Sequence, residues 1–428
     1  MDICSYHVWT VGCQMNKADS ERLESAFDQM GLRSSASPED ADVVVLNSCV
    51  VRQSAEDRVV GMLGRLKPMR ENAPDKVIAL MGCMVGPKTA PLEKRFPYVD
   101  VFMRPQQYEP LIELLGERMG IDTEGCLSRL TARPAVTAYV PIVHGCDKFC
   151  SFCIIPYRRG REVSRTVDDI VREATMLAER GVREVTLLGQ NVDSYGHDLP
   201  GQQDLGRLLR AVNRVNGIER IRFLTSHPND MSDAILDAIA ECEKVCEHVN
   251  LPFQAGDDEV LRKMRRGYTN DEYRVLVDRV RDRIPNVSLS TDLIVGFCGE
   301  TDAQFQRTVE MVRDIRFDKV HSAAYSTRDG TIAARQLVDD VPLDEKKARH
   351  RAIDELQASI QTEINGLLAQ QTVEVLVEEA DNGRGRGRSR NDKLVYIQEA
   401  EDRIGEVVDV VIDRAGPWSL GGRLVTAA

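Results

Sequence analysis

Hydrophobic positions in the first third of the chain fall into short runs separated by segments with helical periodicity. Residues 6–10, 42–47, 76–81 and 99–103 read as strands, and residues 17–30, 52–70 and 107–119 read as helices. This alternation predicts a parallel sheet covered by helices, with ligands in the loops after the strands' carboxyl ends. The pattern weakens over residues 122–138, where Gly125, Pro134 and small polar residues suggest a linker. It restarts at Tyr139. Strand patterns at 139–143, 184–188, 220–224, 248–251, 287–295 and 319–325 alternate with helices such as 167–180 and 271–283. Six such units predict an open or closed barrel with its site at the carboxyl-terminal mouth. Short β-rich runs at 372–378, 393–397 and 406–413, separated by turn residues, predict a small all-β barrel.

The expected fold class is thus α/β: an N-terminal parallel α/β domain (1–121), a linker (122–138), the barrel (139–365) and a β domain (366–428). Residues 383–390, where arginine alternates with glycine or serine, read as a flexible basic loop.

Cysteines then change the picture. Cys146, Cys150 and Cys153 follow the first barrel strand in Cys-x3-Cys-x2-Cys spacing, with no fourth cysteine nearby. Iron–sulfur clusters normally take four thiolates, so three would leave one iron open to a non-protein ligand. A tetrahedral zinc site that adds His144 is the competing reading, although His144 stands only two residues before Cys146. Cys13, Cys49 and Cys83 each follow a strand of the first domain. Parallel strands would bring those loops side by side as a second three-thiolate site; three unrelated half-buried cysteines are the alternative. Cys242 and Cys246, four apart on one helix face, read as core packing, and Cys4 and Cys126 lack companions.

Composition limits the setting. The chain has 428 residues, 42% hydrophobic and 29% charged, as in globular proteins, and no apolar stretch long enough for a membrane helix. Its start lacks the basic-then-apolar layout of a signal peptide, and eleven cysteines without an export signal predict a reducing, cytoplasmic setting. The net charge of −12 does not advertise nucleic acid. Three local clusters do point to an anionic substrate: Arg158, Arg159 and Arg161; Arg262, Lys263, Arg265 and Arg266; and Arg384, Arg386, Arg388 and Arg390.

Cys146-x3-Cys150-x2-Cys153 at the start of a barrel resembles the radical S-adenosylmethionine (SAM) superfamily, a likeness that implies a partial (β/α)6 barrel. Further segments resemble its methylthiotransferases: Gly12-Cys13-Gln14-Met15-Asn16, Asn47-Ser48-Cys49, Gly82-Cys83, 189–196 (GQNVDSYG) and Arg266-Gly267-Tyr268-Thr269. Ala415-Gly416-Pro417-Trp418-Ser419-Leu420 and the β-rich tail resemble their RNA-binding TRAM domain. Thr186-Leu187-Leu188-Gly189-Gln190-Asn191 is similar to the branch acting on N6-dimethylallyladenosine in tRNA, rather than on threonylcarbamoyladenosine or a ribosomal protein aspartate.

The resemblance implies two 4Fe–4S clusters. One, on Cys146, Cys150 and Cys153, would bind SAM and cleave it to a 5′-deoxyadenosyl radical. The other, on Cys13, Cys49 and Cys83, would carry sulfur, and a second SAM would supply the methyl group. The acceptor would be C2 of the prenylated adenosine 3′ of the anticodon. No catalytic residue beyond the cluster ligands is implied. Gly189, Gln190, Asn191, Ser226, Gln254 and Asp292 would contact SAM, and Arg384, Arg386, Arg388 and Arg390 would contact RNA. Expected partners are a tRNA anticodon loop, a reductant such as flavodoxin or ferredoxin, and an unidentified sulfur donor; no membrane partner is expected, and the chain is expected to be monomeric. Cys298 stands where the family usually has proline, and Ala255 where serine often follows the glutamine. A zinc-containing RNA-binding protein and a two-cluster electron carrier are the readings from other classes.

Overall fold

The structure, a computed structural model, describes residues 3–51, 53–123 and 135–425. Most of the expected linker, with Cys126, and Arg52 at the head of one expected helix lie outside the described residues. The chain divides into two compact units, the second of which includes Lys148–Phe152 and everything from Val163 onward.

The first unit contains β1 (Ser5–Thr10), α1 (Gln14–Gln29), β2 (Arg33–Ser34), β3 (Val43–Ser48), α2 (Gln53–Asn72), β4 (Val77–Gly82), α3 (Ala90–Arg95), β5 (Val101–Met103) and α4 (Glu109–Met119). Its strands form one parallel sheet in the order β2-β1-β3-β4-β5. Every residue of β3 and β4 is buried. Alternate residues feed two separate cores: Val43 and Val45 pack with Leu23, Phe27 and Leu111, while Val44 and Leu46 pack with Val59, Leu63 and Leu66. Burial on both faces explains why these strands read as unbroken apolar runs.

β6 (Thr137–Pro141), β7 (Val143–His144), α5 (Ile155–Arg159) and β8 (Val163–Ser164) frame the cysteine loop. The second unit continues through α6 (Val167–Glu179), β9 (Glu184–Leu188), α7 (Leu205–Asn213), β10 (Arg220–Phe223), α8 (Asp233–Glu241), β11 (His248–Asn250), α9 (Asp258–Met264), α10 (Asn270–Arg283), β12 (Ser288–Val295), α11 (Asp302–Ile315), β13 (Lys319–Ala324), α12 (Ile332–Gln336) and the long α13 (Leu343–Gly366). β9 pairs in parallel with β10, and β11, β12 and β13 form a parallel sheet. An isolated parallel bridge from Ile221 to Val245 joins the two sets, and the Val136 carbonyl ahead of β6 accepts from the Arg183 and Glu184 amides. This is the partial parallel barrel of the sequence reading. Side chains start its helices: α10 and α11 both open on capping boxes, Thr269 with Glu272 and Thr301 with Gln304.

β14 (Thr372–Asp381), β15 (Arg384–Ser389), β16 (Leu394–Gln398), β17 (Val407–Ala415) and β18 (Leu420–Leu424) close a five-stranded barrel around Val375, Val377, Ile397, Val410 and Ile412. The flexible-loop reading of residues 383–390 is corrected here, since most of that segment is the strand β15. Gly385 and Gly387 face inward, and a Cβ on Gly387 would lie 1.9 Å from the Leu376 carbonyl oxygen. The glycines let the barrel close, and the arginines between them point outward.

A charged seam ties this small barrel to the amino-terminal ends of the parallel strands. The buried Arg222 lies 2.9 Å from Glu184 and donates to the carbonyls of Arg390 (2.8 Å) and Ser389 (2.7 Å). Arg220 donates to the Arg388 carbonyl and to Glu374. Removing one partner of a buried pair leaves an uncompensated charge, so Arg222→Leu is expected to cost about 3–5 kcal/mol in chemical denaturation, with most of it recovered in the R222L/E184L double variant. An R222L protein as stable as wild type would show that the seam does not hold the two barrels together.

Candidate active site

In the first unit the sheet order makes β1, β3 and β4 neighbours, and Cys13, Cys49 and Cys83 directly follow their carboxyl ends. Buried amides stitch those ends together. Asn16 Nδ2 donates to the carbonyls of Val11 (2.8 Å) and Ser48 (2.9 Å), and Asn47 Nδ2 donates to the Asn16 carbonyl (2.7 Å) and to Ser20 Oγ (2.9 Å). The Cys83 amide bonds the Ser48 carbonyl at 2.9 Å. Gly12 has φ of +126°, and a Cβ there would stand 2.7 Å from Cys49 Cβ, so only glycine lets the first loop approach the second thiol.

Cys49 and Cys83 are buried while Cys13 is exposed at the N-terminus of α1, leaving the cluster of thiols open on one side. Burial pushes the Cys83 thiol up to about 11, and the sulfurs of Cys13 and Cys49 add to the rise, while the Arg159 guanidinium opposes it. A donor already faces one sulfur, the Val51 amide reaching Cys49 Sγ at 3.4 Å, and the Arg159 guanidinium lies near Cys83.

The second triad lies on one continuous loop. Gly145 has φ of +74°, and a Cβ there would meet the Arg161 carbonyl oxygen at 2.0 Å; the adjoining Cys146 amide bonds the Gly160 carbonyl. Cys153 lies two residues ahead of α5. His144 abuts Gln106, whose Nε2 lies 2.6 and 2.8 Å from the two ring nitrogens. Cys150 is 7% exposed and receives Arg266 Nη1 at 3.4 Å, within the second unit. Arg266 is itself buried, fixed by the Pro252 carbonyl (2.9 Å) and the Tyr268 hydroxyl (3.0 Å). The neighbouring Ser151 is bonded to the carbonyls of Met264 and Lys263.

At the barrel mouth, Gly189, Gln190 and Asn191 follow β9. Asn191 Nδ2 donates to Asp230 (2.6 Å), which also takes Lys148 Nζ (2.6 Å). Gln190 Oε1 and Asn191 Oδ1 are buried with no hydrogen-bond partner among the described residues. Such acceptors are costly unless a ligand satisfies them. Ser226 Oγ donates to Asp193, and Asp292 accepts from Asn250. Thr225 after β10 and Gln254 after β11 hold left-handed φ of 75° and 70°, strain that tends to collect at functional sites.

The expected RNA-contact arginines have unequal surroundings. Arg384 is exposed, and Arg386 pairs with Glu379. Arg388 faces Asp392 at 3.3 Å, and Arg390 grips Glu247 with two bonds of 2.7 and 2.8 Å. The other two basic clusters also disperse: Arg161 pairs with Asp147 and Arg262 with Glu259, while Arg159 and Arg266 turn inward to sulfur. Sequence reasoning missed Asp230 and Lys148, and it met Asn16, Asn47, Asp193, Arg159 and Arg266 only within motifs or basic clusters, without a role beside a thiol or a strand end. Their signal was polarity beside a cysteine or a strand end, which does not reveal burial.

Six thiols in two sets of three, with amide and guanidinium donors aimed at several of the sulfurs, fit thiolate-ligated iron, for which hydrogen bonds to sulfur are an established tuning element. Among the described residues no three His, Cys, Asp or Glu side chains stand ready for one metal ion, so the fit rests on donor chemistry and counter-charge.

Comparisons with known proteins bear on the family of the chain. The chain matches the radical SAM superfamily profile over residues 140–312, an uncharacterized protein family (UPF0004) over 5–104 and the TRAM domain over 369–425. It is 48% identical over 426 residues to the tRNA-2-methylthio-N(6)-dimethylallyladenosine synthase of Roseiflexus sp. (strain RS-1), covering 98% of this chain and 89% of the relative. It is 48% identical to the synthase of the same name from Herpetosiphon aurantiacus, covering 98% and 97%. Among solved structures, the radical SAM methyltransferase TsrM from Kitasatospora setae shares the fold at a TM-score of 0.58 and 15% identity, over 90% of this chain and 81% of TsrM. With identity of this order along nearly its whole length, the chain belongs to the radical SAM methylthiotransferases, in the family of tRNA-2-methylthio-N(6)-dimethylallyladenosine synthases.

Proposed function

We propose that this chain is a tRNA methylthiotransferase that converts C2 of N6-dimethylallyladenosine, 3′ of the anticodon, into its 2-methylthio derivative. The observation that carries the reading is the full-length likeness to synthases of that name. Cys146, Cys150 and Cys153 would hold one 4Fe–4S cluster, with SAM completing the open iron, and Cys13, Cys49 and Cys83 would hold a second. Bound together, such clusters and two SAM molecules supply the electron, radical, sulfur and methyl chemistry that an aromatic C–H bond without an acid–base handle demands.

The chain's own residues would position and shield. Arg266 orients the Cys150 thiolate. Gln190 and Asn191 would offer unsatisfied oxygens to the amino end of SAM, with Gln254 after β11 and Asp292 within β12 as further polar contacts. His227 is held neutral, its imidazole lowered to about 2 by burial and by Arg266 and Lys148, so it places no extra cation near a sulfonium. The target base would leave its stack, which costs least in a single-stranded loop. Arg384 and the exposed Trp418 at the β17–β18 turn suit RNA contact by charge and stacking. No helix among the described residues is long and apolar enough to cross a membrane. A monomer in the cytoplasm, reduced by flavodoxin or ferredoxin, completes the reading.

In a strain lacking this protein, mass analysis of tRNA nucleosides is expected to show the 2-methylthio derivative gone and N6-dimethylallyladenosine accumulated. Restoring the wild-type chain reverses this, and a Cys150→Ala chain does not; an unchanged 2-methylthio pool would overturn the assignment. A second expectation concerns Asp193, whose carboxyl burial pushes up to about 7, with Ser226 and the His227 amide opposing. The folded chain therefore keeps a proton that the unfolded chain surrenders near about pH 4. Asp193 thus costs stability as pH rises from about 4 to about 7. Asp193→Asn should gain stability relative to wild type between about pH 5 and about pH 8 in thermal unfolding; a constant difference would contradict the burial argument.

A further inference from the structure

The short helix α5 ends in Arg159, only six residues after Cys153, yet its side chain turns towards the other triad. That side chain is 3% exposed. A buried guanidinium is costly unless charge and hydrogen bonds meet it. Its Nη2 donates to Asn16 Oδ1 at 2.9 Å and to Asp19 Oδ2 at 3.0 Å. Asn16 and Asp19 stand three and six residues after Cys13, both among the buried residues of α1. Asp19 is wholly buried, so the pair forms a rigid clasp rather than a surface ion pair. The same guanidinium is near enough to the Cys83 sulfur to oppose the rise of its thiol. Burial works against the Arg159 cation, but Asp19 and the sulfurs of Cys83 and Cys13 outweigh it and hold the side chain charged. The neighbouring arginines go elsewhere, Arg161 to Asp147 and Arg158 against Gly86.

We propose that Arg159 is the positioning residue of the Cys13–Cys49–Cys83 site, where its clasped guanidinium offsets negative charge on sulfur and raises the reduction potential of a cluster held there. Net charge and hydrogen bonds to sulfur are among the main protein controls of cluster potential. The segment that carries the last thiol of one triad thereby delivers the cation for the other. The inference rests on the two-cluster reading above.

The test uses the full-length chain with Cys146, Cys150 and Cys153 changed to alanine, so that bound iron reports on the other triad alone. Iron content and the cluster's midpoint potential, by redox-titrated electron paramagnetic resonance, are compared with Arg159→Met, Arg159→Lys and Asp19→Asn added. R159M should move the midpoint to more negative values and weaken iron retention by about tenfold or more. R159K, which keeps the charge but loses the fork, should move it less in the same direction. D19N leaves the guanidinium without its carboxylate and should move it the opposite way. Thermal unfolding of the iron-free chains identifies a variant that has merely misfolded. If R159M misfolds, the opposed shifts of R159K and D19N still carry the proposal, and wild-type midpoints in both overturn it. Absence of iron from the parent triple-alanine chain overturns the two-cluster reading and this inference with it; iron present with unmoved midpoints overturns this inference alone.

Discussion

Negative sulfur can be carried into a protein interior only where donors and cations meet it, and much of this molecule is arranged around that requirement. Burying a charged group unpaired costs several kcal/mol, and a thiol in such a place stays protonated instead. Cys83 shows the tendency, raised to about 11 by its surroundings. The chain answers with two arginines from distant sequence positions, Arg159 from α5 and Arg266 from the turn between α9 and α10, and with the Val51 amide from the loop of Cys49 itself. Each is fixed by further bonds, Arg159 by Asp19 and Asn16, Arg266 by Pro252 and Tyr268. Iron bound at these thiols, as proposed above, would displace their protons, which would link cluster binding to the charge of this shell.

The same economy of buried charge governs the far ends of the parallel strands. Glu184, Arg220 and Arg222 head β9 and β10 and are buried because Glu184 meets Arg222, the end of β15 and the residue after it offer carbonyls to both arginines, and Glu374 on β14 meets Arg220. Arg390 contributes to that seam through Glu247, and Arg388 stays close to Asp392. The arginines freest to meet an RNA backbone are therefore those towards the start of β15.

The parallel strands were legible in the sequence because burial on both faces demands continuous apolar runs, and residues 184–188 were placed to the residue. α1 begins at Gln14 rather than near 17, since its first turn holds the polar Gln14 and Asn16, which carry no apolar signal. β15 was illegible for a related reason: its inward positions are glycines, so the period-2 pattern contains no hydrophobic residue. The position of Cys13, Cys49 and Cys83 after neighbouring parallel strands was readable from the strand pattern. Their counter-charges were not, because an arginine destined for burial looks the same in a sequence as one bound for solvent. Arg158, Arg159 and Arg161 formed one basic cluster on paper and serve three different environments in the fold.

The central claim is that one chain holds two open thiolate triads, each carrying a cluster. Anaerobic reconstitution followed by iron analysis and Mössbauer spectroscopy tests it most directly. About eight irons per chain are expected, falling to about four when either Cys13, Cys49 and Cys83 or Cys146, Cys150 and Cys153 are replaced by alanine. Zinc without iron, or about four irons that persist after loss of the first triad, would contradict the account.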